Sequence, residues 1–336
     1  MVRAGIFGAS GYTGAELLRL IAAHPELEVV LATGDTTAGT PVALLYPSLA
    51  AAYPDLVLAE PDPAAAEGLD VVFLALPHGA SQALVPDLRK RAGKLVDLAA
   101  DFRLHDASLY PTWYGEPHAA PDLLAEFAFG IPELFRDQLR GAALVAAAGC
   151  YVTAAALALA PLVRAGAIEP DGVIVDAASG VSGAGRVPTP TTHFSAANED
   201  FTAYGLLTHR HTPEMEQATG ATVLFTPHLA PMTRGILATC YARPGPAGGD
   251  PLAVLRGCYE DEPFVLVTDR SPSTKATLGS NSAHLTARQD PRTGWVVVLC
   301  ALDNLVKGAS GQAVQCANLA LGLDETAGLP VTGIYP

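Results

Sequence analysis

Cationic side chains are scarce in this sequence. Of 336 residues, 20 are Lys or Arg against 34 Asp or Glu, a formal charge of −14 at pH 7. No basic run interrupts that acidity, which argues against a nucleic-acid or anionic-membrane surface. An anionic substrate would need a locally basic pocket, so each arginine is worth locating. Cysteine is sparse as well. Cys150, Cys240, Cys258, Cys300 and Cys316 form no CxxC and no metal-ligand spacing, and an odd, scattered set reads as free thiols in a reducing compartment. Long hydrophobic runs are missing: the longest, 151–163, carries Thr153 and Pro161 and falls short of membrane-spanning length. The first residues lead into a strand rather than a signal peptide. Internal repeats, low-complexity tracts and long linkers do not occur. These absences predict a soluble, cytoplasmic protein. Half of the residues are hydrophobic, and the length suffices for two domains with cores of their own.

The apolar run Val2–Phe7 ends in Gly8-Ala9-Ser10-Gly11-Tyr12-Thr13-Gly14, and 15–23 then carries apolar residues at helical spacing. Strand, glycine turn and helix make a dinucleotide fingerprint: glycine permits close backbone approach, and the helix N-terminus holds the pyrophosphate. A second strand, 27–33, ends at Gly34-Asp35-Thr36. Asp35 stands about 20 residues past the glycines, where an acid bonds a ribose 2′-OH; a solvated loop aspartate is the competing reading. With no arginine nearby for a 2′-phosphate, the local residues favour NAD. Further buried strands at 71–76, 95–98 and 144–147, separated by helices, predict a doubly wound parallel α/β domain. Residues 110–121 read as an ordered loop. The turns after these strands place His78 and Arg103 near the cofactor cleft. His78 reads best as a turn-packing residue, and Arg103 as a fixed anion contact.

The stretch that organises the chain is Gly149-Cys150-Tyr151-Val152-Thr153, between a buried strand and an Ala/Leu-rich helix. Unpaired N–H groups and the positive dipole end of a first helical turn favour a thiolate, so Cys150 suits a nucleophile; an ordinary buried cysteine is the alternative. From 173 the texture changes to β-rich runs (173–177, 223–227, 235–242, 265–268, 295–302), which predicts an α+β domain. Ser179 to Arg186 forms a loop rich in backbone donors with one cation. Thr212-Pro213 with Glu214 reads as a helix start, with His211 just before the cap. His209, Arg210 and His211 lack a third partner at ligand spacing, so no metal is expected. Asp303 to Ala309 opens an amphipathic helix, 310–321, placed back on the nucleotide domain, with its start near the cofactor. A dinucleotide fold, a helix-start cysteine and a downstream histidine together point to a thiol-dependent dehydrogenase acting on a small-molecule acyl substrate. The expected domains are 1–149 with 307–336 for the dinucleotide, and 150–306 for catalysis.

GASGYTGAELLRL at 8–20, DLAADFRL at 97–104, GCY at 149–151, SGVSGAGR at 179–186, AYGLLTHRHTPE at 203–214 and LDNLVKGASGQAVQ at 302–315 resemble the N-acetyl-γ-glutamyl-phosphate reductases of arginine biosynthesis, within the aspartate-semialdehyde-dehydrogenase-like group. The resemblance covers nearly the whole chain and implies reduction of an acyl phosphate to an aldehyde by NADPH through a Cys150 thioester. It implies His211 as general acid/base, with Glu214 orienting its ring and His209 as rival. Gly8, Ser10, Gly11, Tyr12, Thr13, Gly14, Asp35 and Asn304 would bind NADP, or NAD because of Asp35. Arg103, Arg186 and His209 would bind substrate, and the chain would form a homo-oligomer, a dimer or tetramer. Two departures stand out: Ala147-Ala148 replaces the usual Asn-Pro before Gly-Cys, and Gly34-Asp35 replaces a Ser-Arg suited to NADP. The alternatives are an aminoadipyl-phosphate reductase of lysine biosynthesis and a non-catalytic NAD(P)-sensing regulator.

Overall fold

The computed structural model describes residues 1–335. It divides into two compact units, one built from Met1–Ala148 and Ala309–Leu329, the other from Gly149–Gly308 and the chain from Pro330 onward. The sequence reading assigns all of 307–336 to the nucleotide domain. Gly149, Lys307, Gly308 and the chain from Pro330 instead run with the second unit, where the Asn281 N–H donates to Pro330 O and the Ile334 N–H to Leu278 O, each at 2.7 Å. Pro336, the end of that expected segment, lies outside the described residues.

In the first unit β1 (Val2–Phe7), β2 (Leu27–Ala32), β3 (Val71–Leu74), β4 (Lys94–Asp97), β5 (Phe127–Gly130) and β6 (Leu144–Ala147) form one parallel sheet, ordered β2-β1-β3-β4-β6-β5. β3 and β6 are buried at every position, as strands covered on both faces must be. Phe7, Leu74, Leu95, Phe102, Tyr110 and Phe127 share one cluster of the core. Helices Tyr12–Ala22, Ser81–Leu88, Pro132–Leu139 and Gly311–Leu321 are the longer helices of the unit, and the stretch expected as a loop at 110–121 instead opens on a short helix, Tyr110–Tyr114. The order reverses between β1 and β3, and ligands of such sheets bind beyond the strands' carboxyl ends at that reversal. The expected doubly wound α/β architecture is present.

In the second unit β7 (Val173–Gly180), β8 (Thr202–Ala203), β9 (Val223–Ala230), β10 (Ile236–Ala242), β11 (Val265–Val267), β12 (Ala283–Gln289) and β13 (Val296–Leu302) form a mixed sheet, ordered β11-β12-β13-β10-β7-β9-β8. Only β7/β9 and β11/β12 pair in parallel. Burial alternates along β7 and β10, so one face packs inward. Helices Cys150–Arg164, His211–Thr219 and Pro251–Cys258 pack against the strands of this unit. The Cys150 helix is buried from Tyr151 through Leu162, and a helix apolar all round is a core helix. That burial fixes the position of its first residue.

Candidate active site

Gly8 adopts φ +87°, and a Cβ there would stand 2.4 Å from Ala75 O; one on Gly14 would stand 2.4 Å from Gly8 O. Both positions demand glycine for the loop to close. A Cβ on Gly11 would meet nothing nearer than Gly8 O at 3.7 Å, so the backbone there is open to close approach. Helix Tyr12–Ala22 starts after Gly11 with no side-chain cap, which leaves its first N–H groups for a ligand. This loop, with Ser10, Tyr12 and Thr13, fits a dinucleotide pyrophosphate. The Gly8 N–H donates to Thr33 Oγ1 at 3.3 Å and the Ala9 N–H to Thr33 O at 2.8 Å, which ties the loop to the end of β2. Asp35, two residues on, is exposed.

Beyond β3 and β4 lies a buried polar cluster. Ser81 Oγ stands 3.0 Å from Asp97 and 2.8 Å from Asp101, yet a hydroxyl has one proton to give, so one carboxyl must carry its own. Burial, with Asp101 beside it, pushes Asp97 up to about 8. Burial also acts to raise Asp101, but His78, the Gly79 N–H, Ser81 and the Gln82 N–H more than offset it and bring Asp101 down to about 2. Asp97 is therefore the neutral partner. His78 Nδ1 lies 2.6 Å from Asp101 and its ring contacts Tyr114, the turn-packing environment expected of it. Arg103 is buried, donating from Nε to Ala147 O and from Nη2 to Leu98 O, both at 2.8 Å. Its guanidinium joins the ends of β4 and β6.

Cys150, half-buried, is the first residue of its helix, and Gly149 is an uncapped N-cap. Three features of the second unit converge on it. The Glu214 carboxylate, fully buried, accepts the Gly149 N–H at 2.7 Å, tying the His211 helix to the Cys150 helix. A Cβ on Gly149 would stand 2.4 Å from His211 Nε2, so the imidazole is seated on the glycine itself. On another side, a Cβ on Gly308 would stand 2.8 Å from Cys150 Cβ. Gly308 belongs to a π turn, Val306–Ser310, closed by the Gly308 N–H donating to Asp303 O at 2.9 Å; π turns concentrate at functional sites. That turn replaces the continuous helical opening expected from Asp303.

His211 begins helix His211–Thr219, two residues earlier than the sequence predicts, because the Thr212 N–H already donates to His209 O at 3.0 Å. His209 sits among Tyr151, Tyr204, Phe225 and His211, and its Nδ1 accepts the His211 N–H at 3.1 Å. An accepting Nδ1 fixes the neutral, Nε2-protonated tautomer. Burial, with Arg210 adjacent, holds His209 down to about 4. Burial also raises the phenols of Tyr151 and Tyr204, so both stay protonated. Tyr204 donates to Tyr151, which donates to His228 O.

Asn304 is buried and committed within this unit: Oδ1 accepts the Gly235 N–H at 2.7 Å, and Nδ2 donates to Ser182 Oγ at 3.0 Å. Arg186 is exposed on the glycine-rich loop. The unit thus brings Cys150, His211, Glu214 and His209 together. The seat that Gly149 gives His211, the approach of Gly308 to Cys150 and the aromatic surround of His209 are additions that spacing does not reveal, because each depends on a tertiary contact. Of the other cysteines, Cys240 and Cys300 are buried and pushed up by burial, Cys240 to about 12. Among the described residues no His, Cys, Asp or Glu cluster could hold a metal ion, and no helix is long and apolar enough to cross a membrane.

The profile for the semialdehyde dehydrogenase NAD binding domain matches residues 3–142, and that for the semialdehyde dehydrogenase dimerisation domain matches 150–304. The N-acetyl-gamma-glutamyl-phosphate reductase of Desulforudis audaxviator is 49% identical over all of both chains; that of Symbiobacterium thermophilum is 50% identical over all of this chain and 99% of its own. The solved structure of aspartate semialdehyde dehydrogenase II from Vibrio cholerae matches 96% of this chain and 98% of its own with a TM-score of 0.73, at 15% identity, a likeness of fold. The chain is an oxidoreductase that uses a nicotinamide cofactor and belongs to the N-acetyl-γ-glutamyl-phosphate reductase family of the semialdehyde dehydrogenases.

Proposed function

We propose that this chain converts N-acetyl-L-glutamyl 5-phosphate to N-acetyl-L-glutamate 5-semialdehyde and inorganic phosphate in arginine biosynthesis. The observation that carries this reading is a helix-start cysteine with an imidazole seated on the preceding glycine. His211 takes the thiol proton, and Cys150 Sγ attacks the acyl carbon. The S–C bond forms as the C–O bond to phosphate breaks, and phosphate leaves with the electron pair. First-turn N–H groups of the Cys150 helix stabilise charge on the acyl oxygen. A bound reduced nicotinamide supplies hydride to the thioester carbon. Collapse of the tetrahedral centre then breaks the S–C bond, returns the thiolate beside His211 and releases the aldehyde. Glu214 anchors Gly149, and His209 holds the His211 backbone; a ring held neutral to about pH 4 is poorly matched to relaying protons near neutrality. Arg186 is assigned to an anionic group of the substrate, and Arg103 to holding the end of β6.

The resemblance implies NADPH as reductant, whereas the end of β2 carries an acid and no cation. A homo-oligomer in the cytoplasm completes the proposal. It is supported by the outer row Leu224, Ile174, Tyr241 and Val297, which the strand registers align across β9, β7, β10 and β13 and which stays half-buried or exposed. The test is a trapped acyl-enzyme. Incubated with the semialdehyde and oxidised cofactor without phosphate, the protein should gain the mass of one N-acetylglutamyl group on Cys150. The Cys150→Ala chain should gain none. An equal adduct on both proteins would refute the assignment.

A further inference from the structure

We propose that Asp35 makes this chain select NAD(H) over NADP(H), an inference that rests on the nucleotide reading of the first unit. The two cofactors differ only at the adenosine ribose, a 2′-hydroxyl in one and a 2′-phosphate in the other. In a doubly wound sheet that ribose lies beyond the second strand, past the glycine loop. The structure fixes the geometry of that place. β1 and β2 are neighbours, with Ile6 opposite Ala32, and Thr33 receives the N–H groups of Gly8 and Ala9. Asp35 stands two residues beyond Thr33.

Its main chain is held rigidly. The Gly34 N–H donates to Ala59 O at 3.0 Å, the Ala38 N–H to Asp35 O at 3.0 Å, and the Gly39 N–H to Leu58 O at 2.7 Å. A Cβ on Gly34 would stand 2.3 Å from Thr37 Oγ1, so the turn is closed tightly beneath an exposed carboxylate. That carboxylate can accept a hydrogen bond from a ribose hydroxyl, and it repels a phosphate.

The sequence offers no cation to reverse that sign. No Lys or Arg occurs between Arg19 and Arg89. Arg19, two turns into its helix, is taken by Glu16 at 2.6 Å. Arg103 follows β4, three strand spacings from β2 and therefore roughly 14 Å across the sheet, and its guanidinium is spent on Ala147 O and Leu98 O. Arg3 sits near the amino end of β1, away from the glycine loop. A 2′-phosphate placed beyond β2 would meet an acid in this unit and no counter-charge.

The experiment is equilibrium binding, which needs no turnover. NADH and NADPH are titrated separately into the full chain at one ionic strength, with nucleotide fluorescence as signal. The parent should bind NADH at least about tenfold more tightly, the worth of one charge-assisted hydrogen bond. Asp35→Ser should shrink that ratio by about the same factor, and Asp35→Arg should tip it toward NADPH. Thermal melting checks that each variant is folded, and since Asp35 is exposed both should be. NADPH binding as tightly as NADH to the parent, or a ratio unmoved in folded Asp35→Ser, overturns the proposal and leaves the reductase reading standing. Binding of neither dinucleotide by folded protein overturns both.

Discussion

At the residue scale the site separates two histidines that spacing alone leaves as rivals. His209 donates nothing through Nδ1; it accepts the His211 N–H there and is held down to about 4. His211→Asn should lower kcat by about 10²- to 10⁴-fold, the usual worth of an acid/base group, and erase an ionisation from the pH–rate profile. His209→Asn keeps an acceptor near Nδ1 and should cost far less than His209→Ala, with the profile unmoved in both. A profile that shifts with His209 and not with His211 would reverse the assignment. The Asp97–Asp101 pair yields a prediction in stability. Folded Asp97 stays protonated to about pH 8, while the unfolded carboxyl ionises near 3.8. Folding therefore takes up a proton in that window, so this group's contribution is full below pH 4 and is lost as pH rises through 8. Asp97→Asn should melt above the parent at pH 8, and the gap should close toward pH 4; a lower melting temperature at pH 8 would contradict a neutral Asp97. Cys150 and His211 were legible because each sits at a helix start with chemistry of its own. The committed state of Arg103 was not, since carbonyl oxygens such as Ala147 O leave no mark in a sequence.

At the element scale the geometry of the proposed site is a matter of two helix starts held together. Glu214 reaches from the His211 helix to the Gly149 N–H, and the imidazole rests where a Gly149 side chain would be. Gly149→Ala should therefore displace the ring and cost about 10²-fold or more in kcat, the usual cost of an ångström of misplacement, while an unchanged melting temperature shows that the fold survives. A Gly149→Ala chain with parental kcat would mean that the ring is not held there in solution. The parallel strands of the first unit, from Val2–Phe7 onward, were readable because burial on both faces leaves near-continuous apolar runs. β5 and β12 were not. Phe-Ala-Phe-Gly is too short to show a period, and its Gly130 answers to Ala147, whose Cα a Cβ there would approach to 2.8 Å. In β12 the sequence Ala-His-Leu-Thr-Ala-Arg-Gln mixes polar residues into a strand whose Thr286 is buried. The π turn at Val306–Ser310 answers to Cys150, a residue far away in sequence, so its local pattern reads as ordinary helix.

At the scale of the whole molecule, one unit carries the nucleotide fingerprint and the other the residues to which the acyl chemistry is proposed, and the family gives the pair its reaction. The proposed assembly predicts that a charge on the outer row of the second sheet separates subunits. Tyr241→Asp faces Ile174 and Val297 across the strands and should shift the sedimentation coefficient to that of a 34.6 kDa monomer; unaltered sedimentation would place the contact elsewhere. The central claim is the reaction itself, and the reverse direction tests it most directly. Purified protein is mixed with N-acetyl-glutamate semialdehyde, inorganic phosphate and either NAD or NADP, and formation of reduced cofactor is followed by absorbance. The prediction is turnover that requires phosphate and vanishes in Cys150→Ala. Folded protein that turns over with neither cofactor, or that prefers aminoadipate semialdehyde, would contradict the account.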